Sequence, residues 1–202
     1  MSIGENAASR RVSRRDALRA AGAGAGAGVA GFLVACGGGG GSARTLPQLN
    51  PVQIQADAAV AGALVQGERA AIAAYRLGAS HMQGADRRIA ERFRAQEEAH
   101  ERALERALRS LNAAPPPRRP DADYVAGFPR VTDAESALRF ALDVENTQIS
   151  AYSDALGTVA TPALRAVIAS ILTVEAEHMS VILGQLHEPQ APQALVTGTK
   201  PT

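Results

Sequence analysis

The chain has 202 residues, of which 46% are hydrophobic and 20% are charged, and its formal net charge is +1. No uninterrupted apolar run reaches the roughly 18 residues that a membrane-spanning helix needs, so a polytopic membrane protein is excluded. The single cysteine excludes an intrachain disulfide framework and a four-cysteine zinc site, and the aromatic content of only 3% favours helices over sheets.

The N-terminal segment has the order of an export signal, because five arginines come before a weakly apolar alanine–glycine stretch over 20–35. The segment 13–19 resembles the twin-arginine translocation motif. The segment 33–36, Leu-Val-Ala-Cys, resembles a lipobox, in which Cys36 becomes the lipidated first residue after cleavage. The alternative interpretation of Cys36 is a free thiol on a flexible tail.

We therefore predict a signal peptide over 1–35 and a flexible, glycine-rich linker over 36–51. The predicted partners are the twin-arginine translocase and the lipoprotein processing machinery. The predicted location is the periplasmic or extracytoplasmic face of the cell envelope, with the lipid anchor in the membrane. Cleavage would remove five arginines and two acids, which changes the formal charge from +1 to −2. The basic character belongs to the signal, so no nucleic-acid partner is predicted.

The segment 52–187 has the pattern of four helices separated by helix-breaking residues. A proline-rich stretch over 114–120 follows the second helix. Thr132 and Glu135 have capping-box spacing at the start of the third helix, and Thr161 comes before a proline at the start of the fourth. The predicted helices run over 51–77, 85–111, 132–156 and 161–186.

Each predicted helix carries an apolar stripe that polar residues interrupt. The first and third helices share the pattern Glu-x3-Ile-x-Ala-Tyr, and the second and fourth share Glu-x-x-His. Corresponding residues are 77 apart in the first pair and 78 apart in the second, which indicates a duplicated helical hairpin. The polar residues on the stripes are Glu68, Glu97, His100, Glu145, Glu175 and His178.

The positions of the turns predict that these polar residues lie at one height. Residues that lie level in an antiparallel hairpin have a constant sum of numbers, and turns near 83 and 161 put the three polar residues of each hairpin level. The connection over 112–131 is too long for a tight turn, so it can span the bundle. We predict an all-α four-helix bundle of two duplicated hairpins joined by a long crossover. Its second and third helices run parallel, and a disordered tail follows over 188–202.

Four carboxylates on inward faces require compensation, because burying an ionised carboxylate alone costs several kcal/mol or more. The stripes carry no basic residue, since the nearby arginines lie beside the relevant faces. Two divalent cations would cancel the four negative charges, with both histidines bound as neutral imidazoles. Residues three apart share a helix face, so each Glu-x-x-His offers one oxygen and one nitrogen to one cation.

With these six residues the segment 52–187 resembles the ferritin-like superfamily, nearest in pattern to bacterioferritin, rubrerythrin and manganese catalase. The resemblance implies a dinuclear centre of two iron or two manganese ions. Oxygen and imidazole donors bind both metals, so the ligand set does not distinguish them. It implies that Glu97 and Glu175 are bridging ligands and that Glu68 and Glu145 are terminal ligands. His100 and His178 would each provide one nitrogen ligand to one metal ion. The chain lacks a Cys-x-x-Cys pair, so the rubredoxin-like iron centre of rubrerythrin is not expected.

The resemblance implies two-metal redox chemistry with dioxygen or peroxide as a small oxidant, such as oxidation of ferrous iron or removal of peroxide. Tyr75 and Tyr152 each lie seven residues after a proposed ligand on the same face. A hydroxyl bonded to a carboxylate is the preferred interpretation of both, and a redox role is the other. The alternative function is a non-catalytic envelope or stress protein whose bundle serves as a scaffold, with or without metal.

Overall fold

The structure is a computed structural model that describes residues 49–198, in which there are helices and connections but no strand. The predictions for the signal peptide, for Cys36 and for most of the linker lie outside the described residues. The four long helices were all predicted, and the all-α fold class is confirmed. The helices are α1 Pro51–Ala79, α2 Gly84–Ser110, α3 Asp121–Val125, α4 Ala134–Thr158 and α5 Pro162–Gln185.

The N-cap of helix α4 lies one residue later than the sequence pattern predicts. Asp133 is the N-cap, and its carboxylate accepts a hydrogen bond from the Ser136 backbone N–H at 2.8 Å. The Ser136 hydroxyl in turn accepts from the backbone N–H of Asp133 at 3.1 Å. Glu135, which was expected to complete a capping box with Thr132, instead pairs with Arg139 one turn further along the helix. Asp133 takes the cap because its ionised carboxylate is a stronger acceptor than a hydroxyl.

Helix α5 begins at the predicted proline, but its cap comes from another helix. The side chain of the N-cap residue Thr161 makes no capping hydrogen bond among the described residues. Asp57 of α1 is 2% exposed, and its two carboxylate oxygens accept from the backbone N–H groups of Ala160 at 3.0 Å and Thr161 at 2.6 Å. The start of α5 is thereby fixed to the first turns of α1.

The four long helices form two hairpins, in which α1 pairs with α2 and α4 pairs with α5. One apolar cluster joins the beginning of α1 and α5 to the ends of α2 and α4, with Leu64, Leu104 and Ile168 among its members. A second cluster, which includes Phe93 and Phe140, joins the beginnings of α2 and α4 to the ends of α1 and α5. Helices α2 and α4 therefore run parallel, and the connection between them crosses the length of the bundle, both as predicted.

The crossover is fastened to the α1–α2 hairpin by a buried arginine. Arg69 donates to Glu101 at 2.6 Å and to the carbonyl oxygen of Pro116 in the crossover at 2.8 Å. Arg118 of the crossover also donates to Glu101, at 3.1 Å. Sequence reasoning placed Arg69 beside the apolar face, whereas the structure buries it, because Glu101 on the neighbouring helix compensates its charge.

Helix α5 is the one described helix that is long and apolar enough to cross a membrane by length and composition. In the bundle it buries Ile168, Ile171 and Ile182 against the other helices. The residues after α5, which were predicted to be disordered, are described up to 198 and are not helical. They pass beside α4, where the α-carbon of Gly198 lies close to the backbone of Asn146 and Ser150.

Candidate metal centre

The structure brings together all six polar residues that interrupt the apolar stripes. Helices α1 and α4 contribute one glutamate each, and α2 and α5 contribute one glutamate and one histidine each. All six are buried in the layer between the two apolar clusters, as the turn positions predicted. They are Glu68, Glu97, His100, Glu145, Glu175 and His178.

These side chains form two overlapping groups, in each of which the possible ligand atoms lie within 4.8 Å of one another. Glu97 and Glu175 belong to both groups. Glu68 and His100 complete the first group, and the second is completed by Glu145 and His178. Each group thus holds three carboxylates and one imidazole, a donor set suited to iron or manganese.

Both histidines direct Nδ1 into the carboxylate layer. His100 Nδ1 lies 3.1 Å from Glu97 Oε2 and 3.0 Å from Glu175 Oε1. His178 Nδ1 lies 3.1 Å from Glu97 Oε1 and 3.4 Å from Glu175 Oε2. The shared glutamates therefore present one oxygen to each side, the arrangement that a bridging carboxylate requires.

The remaining glutamates lie at the two ends of the layer. Glu68 Oε2 is 3.7 Å from His100 Nδ1, and Glu145 Oε1 is 3.5 Å from His178 Nδ1. Tyr152 on α4 donates its hydroxyl to Glu68 on α1, and Tyr75 on α1 donates to Glu145 on α4. Each tyrosine thus holds the terminal glutamate of the other hairpin, which matches the preferred interpretation of these residues.

The pKa values show how the layer is balanced by protons. Burial alone lowers the pKa of His100, but contacts with Glu175 and Glu68 outweigh it and raise the pKa to about 12. Burial has the same effect on His178, where Glu145 and Glu175 outweigh it and raise the pKa to about 11. Both imidazoles are therefore cationic in the ion-free protein.

The carboxylates divide into two kinds. Burial tends to raise the pKa of Glu97, but hydrogen bonds from His100 and His178 outweigh it and lower the pKa to about 2. Burial raises the pKa of Glu68 and of Glu145 well above the usual value, and repulsion from Glu97 adds to it. Glu97 is thus anionic in the ion-free protein, whereas Glu68 and Glu145 take up a proton more readily than an ordinary glutamate.

The layer still leaves ligand atoms without a hydrogen bond of acceptable geometry among the described residues. These are one oxygen each of Glu68, Glu97 and Glu145, both oxygens of Glu175, and Nδ1 of His178. Buried polar atoms in proteins are nearly always paired, so such a concentration at one place indicates a missing partner. A cation between the oxygens and the nitrogen would satisfy these atoms, and the six residues therefore fit a metal.

Two neighbours of the site were not predicted as site residues. Gln96 on α2 accepts a hydrogen bond at its Oε1 from His178 Nε2 at 2.9 Å. Phe93 stacks on the His178 ring, with 3.9 Å between ring centroids and 23° between the planes. Phe93 has the spacing of an apolar stripe residue of α2, four residues before Glu97. Gln96 could not be recognised from the sequence, because the periodicity of one helix does not show which residues of a neighbouring helix it contacts.

A four-helix bundle with duplicated Glu and Glu-x-x-His helices defines the class of ferritin-like carboxylate-bridged metal proteins. The family model named Ferritin-like domain matches residues 53–188, and the chain belongs to this family. No curated protein matches the sequence.

Solved structures share the fold at low identity. The dodecameric thioferritin of Bacteroides fragilis, a bacterioferritin-related protein, is 18% identical with a TM-score of 0.57, and the match covers 66% of this chain and 86% of that one. A ferritin-like, diiron-carboxylate protein of Bacillus anthracis str. Ames is 20% identical with a TM-score of 0.55, with coverage of 66% and 97%.

The DPS protein of Vibrio cholerae O1, a member of the ferritin-like diiron-carboxylate superfamily, is 14% identical. Its TM-score is 0.59, and the match covers 72% of this chain and 99% of that one. These likenesses show the shared fold, and the case for metal binding in this chain comes from its own six buried residues.

Proposed function

We propose that this protein holds two iron or two manganese ions in the layer between its apolar clusters. Glu97 and Glu175 would bridge the ions. Glu68 and His100 would complete one ligand set, with Glu145 and His178 completing the other. The observation that carries the proposal is the overlap of the two four-residue groups at Glu97 and Glu175.

Charge and burial support two divalent ions rather than one. The six residues offer four carboxylates and two imidazoles, so two doubly positive ions bring the layer to neutrality when all ligands are deprotonated. A single ion would leave two negative charges in a part of the bundle that excludes water, which is costly. Ion binding would displace the protons that the histidines hold, because ligands must be deprotonated.

We propose redox chemistry with dioxygen or peroxide as the activity, in the form of ferrous iron oxidation or peroxide removal. When bound there, two ions of variable valence would supply electrons for the reduction of an oxygen–oxygen bond. The chain's own residues hold and shield the site. Tyr75 and Tyr152 orient the end glutamates, and Leu104 and Ile182 are among the apolar residues that separate the layer from bulk water.

The second candidate function is a non-catalytic scaffold, and the proton balance of the ion-free layer favours it. Two cationic imidazoles lie beside the ionised Glu97, while Glu68 and Glu145 have raised pKa values. The two apolar clusters, which pack the four helices on either side of the layer, support a bundle that folds without ions. Export through the twin-arginine translocase and lipid attachment at Cys36 are proposed for either function, and a Cys36→Ser variant that still partitions into membranes would contradict the anchor.

Elemental analysis of the purified full chain after incubation with Fe²⁺ or Mn²⁺ tests the metal centre. We expect about two ions per chain, as in the dinuclear carboxylate bundles. Glu97→Ala removes a residue common to both groups, so it should lower binding at both positions. Glu68→Ala removes a residue of one group and should lower binding at one position.

Glu98→Ala is the matched control, because Glu98 is the next residue on α2 and pairs with Arg94 outside the layer. Its metal content should equal that of the unmodified chain. If Glu97→Ala kept full metal content, the ligand assignment would be wrong. A chain that binds two ions but neither oxidises Fe²⁺ nor consumes peroxide would favour the scaffold.

A further inference from the structure

The duplication allows the surroundings of the two histidines to be compared position by position. Residues of α2 and α5 that correspond differ by 78 in number, as His100 and His178 do. The six residues at the centre of the site obey the repeat. Their neighbours do not: Phe93 and Gln96, which contact His178, are larger than the residues at the corresponding positions beside His100, and Gln96 is also polar.

His178 lies in tight surroundings. Its Nε2 donates to Gln96 Oε1 at 2.9 Å, and Phe93 stacks on its ring. The side chain is 2% exposed. A hydrogen bond at the second ring nitrogen fixes the orientation and the tautomer of a metal-binding histidine, and so raises its affinity.

His100 lies in open surroundings. The positions that correspond to Phe93 and Gln96 are Ile171 and Val174, which offer neither an aromatic ring nor a hydrogen-bond acceptor from their side chains. The side chain of His100 is 10% exposed, five times the exposed fraction of His178. The two halves of the layer thus differ in how firmly the histidine is held.

An apolar groove between α2 and α5 has His100 in its lining. Its volume is about 370 Å³, which is large beside the roughly 30 Å³ that a water molecule occupies in the liquid. Its walls carry small and apolar side chains, namely those of Ala99, Ala103, Ala166, Val167, Ser170, Ile171 and Val174.

The corresponding positions beside His178 carry larger side chains. Where the groove has Ala166 and Ser170, the repeat has Arg88 and Arg92. Of these positions in the repeat, Phe93 and Gln96 contact the His178 ring, where the groove has Ile171 and Val174. The walls of the groove therefore carry smaller side chains than the corresponding positions of the repeat.

We propose that the two metal positions are unequal: the His178 position retains its ion, and the His100 position exchanges its ion through the groove between α2 and α5. This inference rests on the proposed dinuclear centre. Gln96 is a positioning residue for His178. At the corresponding position beside His100 the chain has Val174, whose side chain cannot accept a hydrogen bond.

Release of Co²⁺ from the full chain tests the proposal without any measurement of activity, since Co²⁺ accepts the same oxygen and nitrogen donors. The loaded protein is mixed with excess 4-(2-pyridylazo)resorcinol, which forms a coloured complex with released Co²⁺. We expect two phases of equal amplitude, the fast one from the His100 position and the slow one from the His178 position.

A reciprocal pair of substitutions assigns the phases. Gln96→Val gives His178 the surroundings of His100 and should accelerate the slow phase by about 10-fold to 100-fold, the usual effect of losing such a partner. Val174→Gln gives His100 an acceptor and should slow the fast phase. Gln96→Glu keeps an acceptor at the same reach and should keep the slow phase slow, which a merely structural role of Gln96 would not predict.

The groove has a matched pair of its own. Ala166→Leu places bulk in the groove and should slow the fast phase several-fold, while Ala169→Leu adds the same bulk at an exposed position of α5 outside the groove and should not. Single-phase release of two ions, or acceleration of the fast phase by Gln96→Val, would overturn the inference and leave the dinuclear centre standing. Binding of fewer than one ion per chain would overturn both.

Discussion

Tyr75 and Tyr152 are the residues that connect the two hairpins at the site. Each lies on one hairpin and donates its hydroxyl to the end glutamate of the other. Burial raises the pKa of both phenols well above the usual value, and the neighbouring carboxylate raises it further, so both remain donors at any physiological pH. The two tyrosines therefore orient the carboxylates of Glu68 and Glu145 and add no charge to the layer.

Tyr152→Phe should weaken metal binding at the position that includes Glu68. The substitution removes the donor that orients this carboxylate, and we expect affinity to fall by about 10-fold or more. The unfolding free energy of the ion-free protein should fall by about 1–3 kcal/mol, because a buried oxygen loses its partner. Isothermal titration and urea unfolding measure the two effects.

The control is Tyr124→Phe, which removes the hydroxyl by which Tyr124 of the crossover donates to Gln66 Oε1 on α1 at 2.7 Å. It should leave metal affinity unchanged. Equal losses of affinity in the two variants would show that the effect of Tyr152 is not local to the site.

The site residues were predictable because the residues that share one face of a helix can be identified from their spacing in the sequence alone. Glu97 and His100 share a face by their spacing alone, and the turn positions add the height. Gln96 and Phe93 could not be assigned to His178, since that contact depends on how α2 and α5 are rotated about their own axes. Arg69 likewise depends on Glu101, a partner on another helix.

At the scale of the helices, α5 depends on α1 for its first turn. Asp57 accepts the backbone N–H groups of Ala160 and Thr161, which otherwise lack a capping side chain among the described residues. The sequence predicted where α5 begins, because proline at the first helical position marks it. It did not predict the cap, because Asp57 lies about a hundred residues away in the chain.

Asp57→Ala should lower the unfolding free energy at pH 7 by about 1 kcal/mol, the usual cost of losing a cap. Burial tends to raise the pKa of Asp57, but hydrogen bonds with Thr161 and Ala160 outweigh it and lower the pKa below 3.8. The stabilisation is therefore fully present above about pH 4, and it is lost as the pH falls through the pKa of the folded protein. Urea unfolding at pH 7, 5 and 3 measures it.

Asp154→Ala is the control for Asp57→Ala, because Asp154 is an exposed carboxylate near the end of α4. It should change the unfolding free energy little. A difference between Asp57→Ala and the unmodified chain that stayed constant down to pH 3 would contradict the role of the ionised cap.

At the scale of the whole molecule, the core consists of two apolar clusters with a polar layer between them. The layer has its full complement of partners only with cations in place. Stability should therefore depend on divalent ions, although the two clusters suffice to define the fold.

Mn²⁺ should raise the melting temperature of the chain. At a free concentration one hundred times Kd, one bound ion stabilises the folded state by about 2.7 kcal/mol. For a protein of this size that corresponds to a shift of about 5–10 °C. Differential scanning calorimetry with and without EDTA measures it, and Glu97→Ala should show no shift. A shift of the same size in Glu97→Ala would place the stabilising ion elsewhere.

Each metal position takes residues from both hairpins. The group that contains Glu68 and His100 needs Glu175 from the second hairpin, and the group that contains Glu145 and His178 needs Glu97 from the first. A single hairpin of this kind could assemble a complete group only by associating with a second copy of itself. The duplicated chain makes that association intramolecular, so assembly of the centre becomes independent of protein concentration.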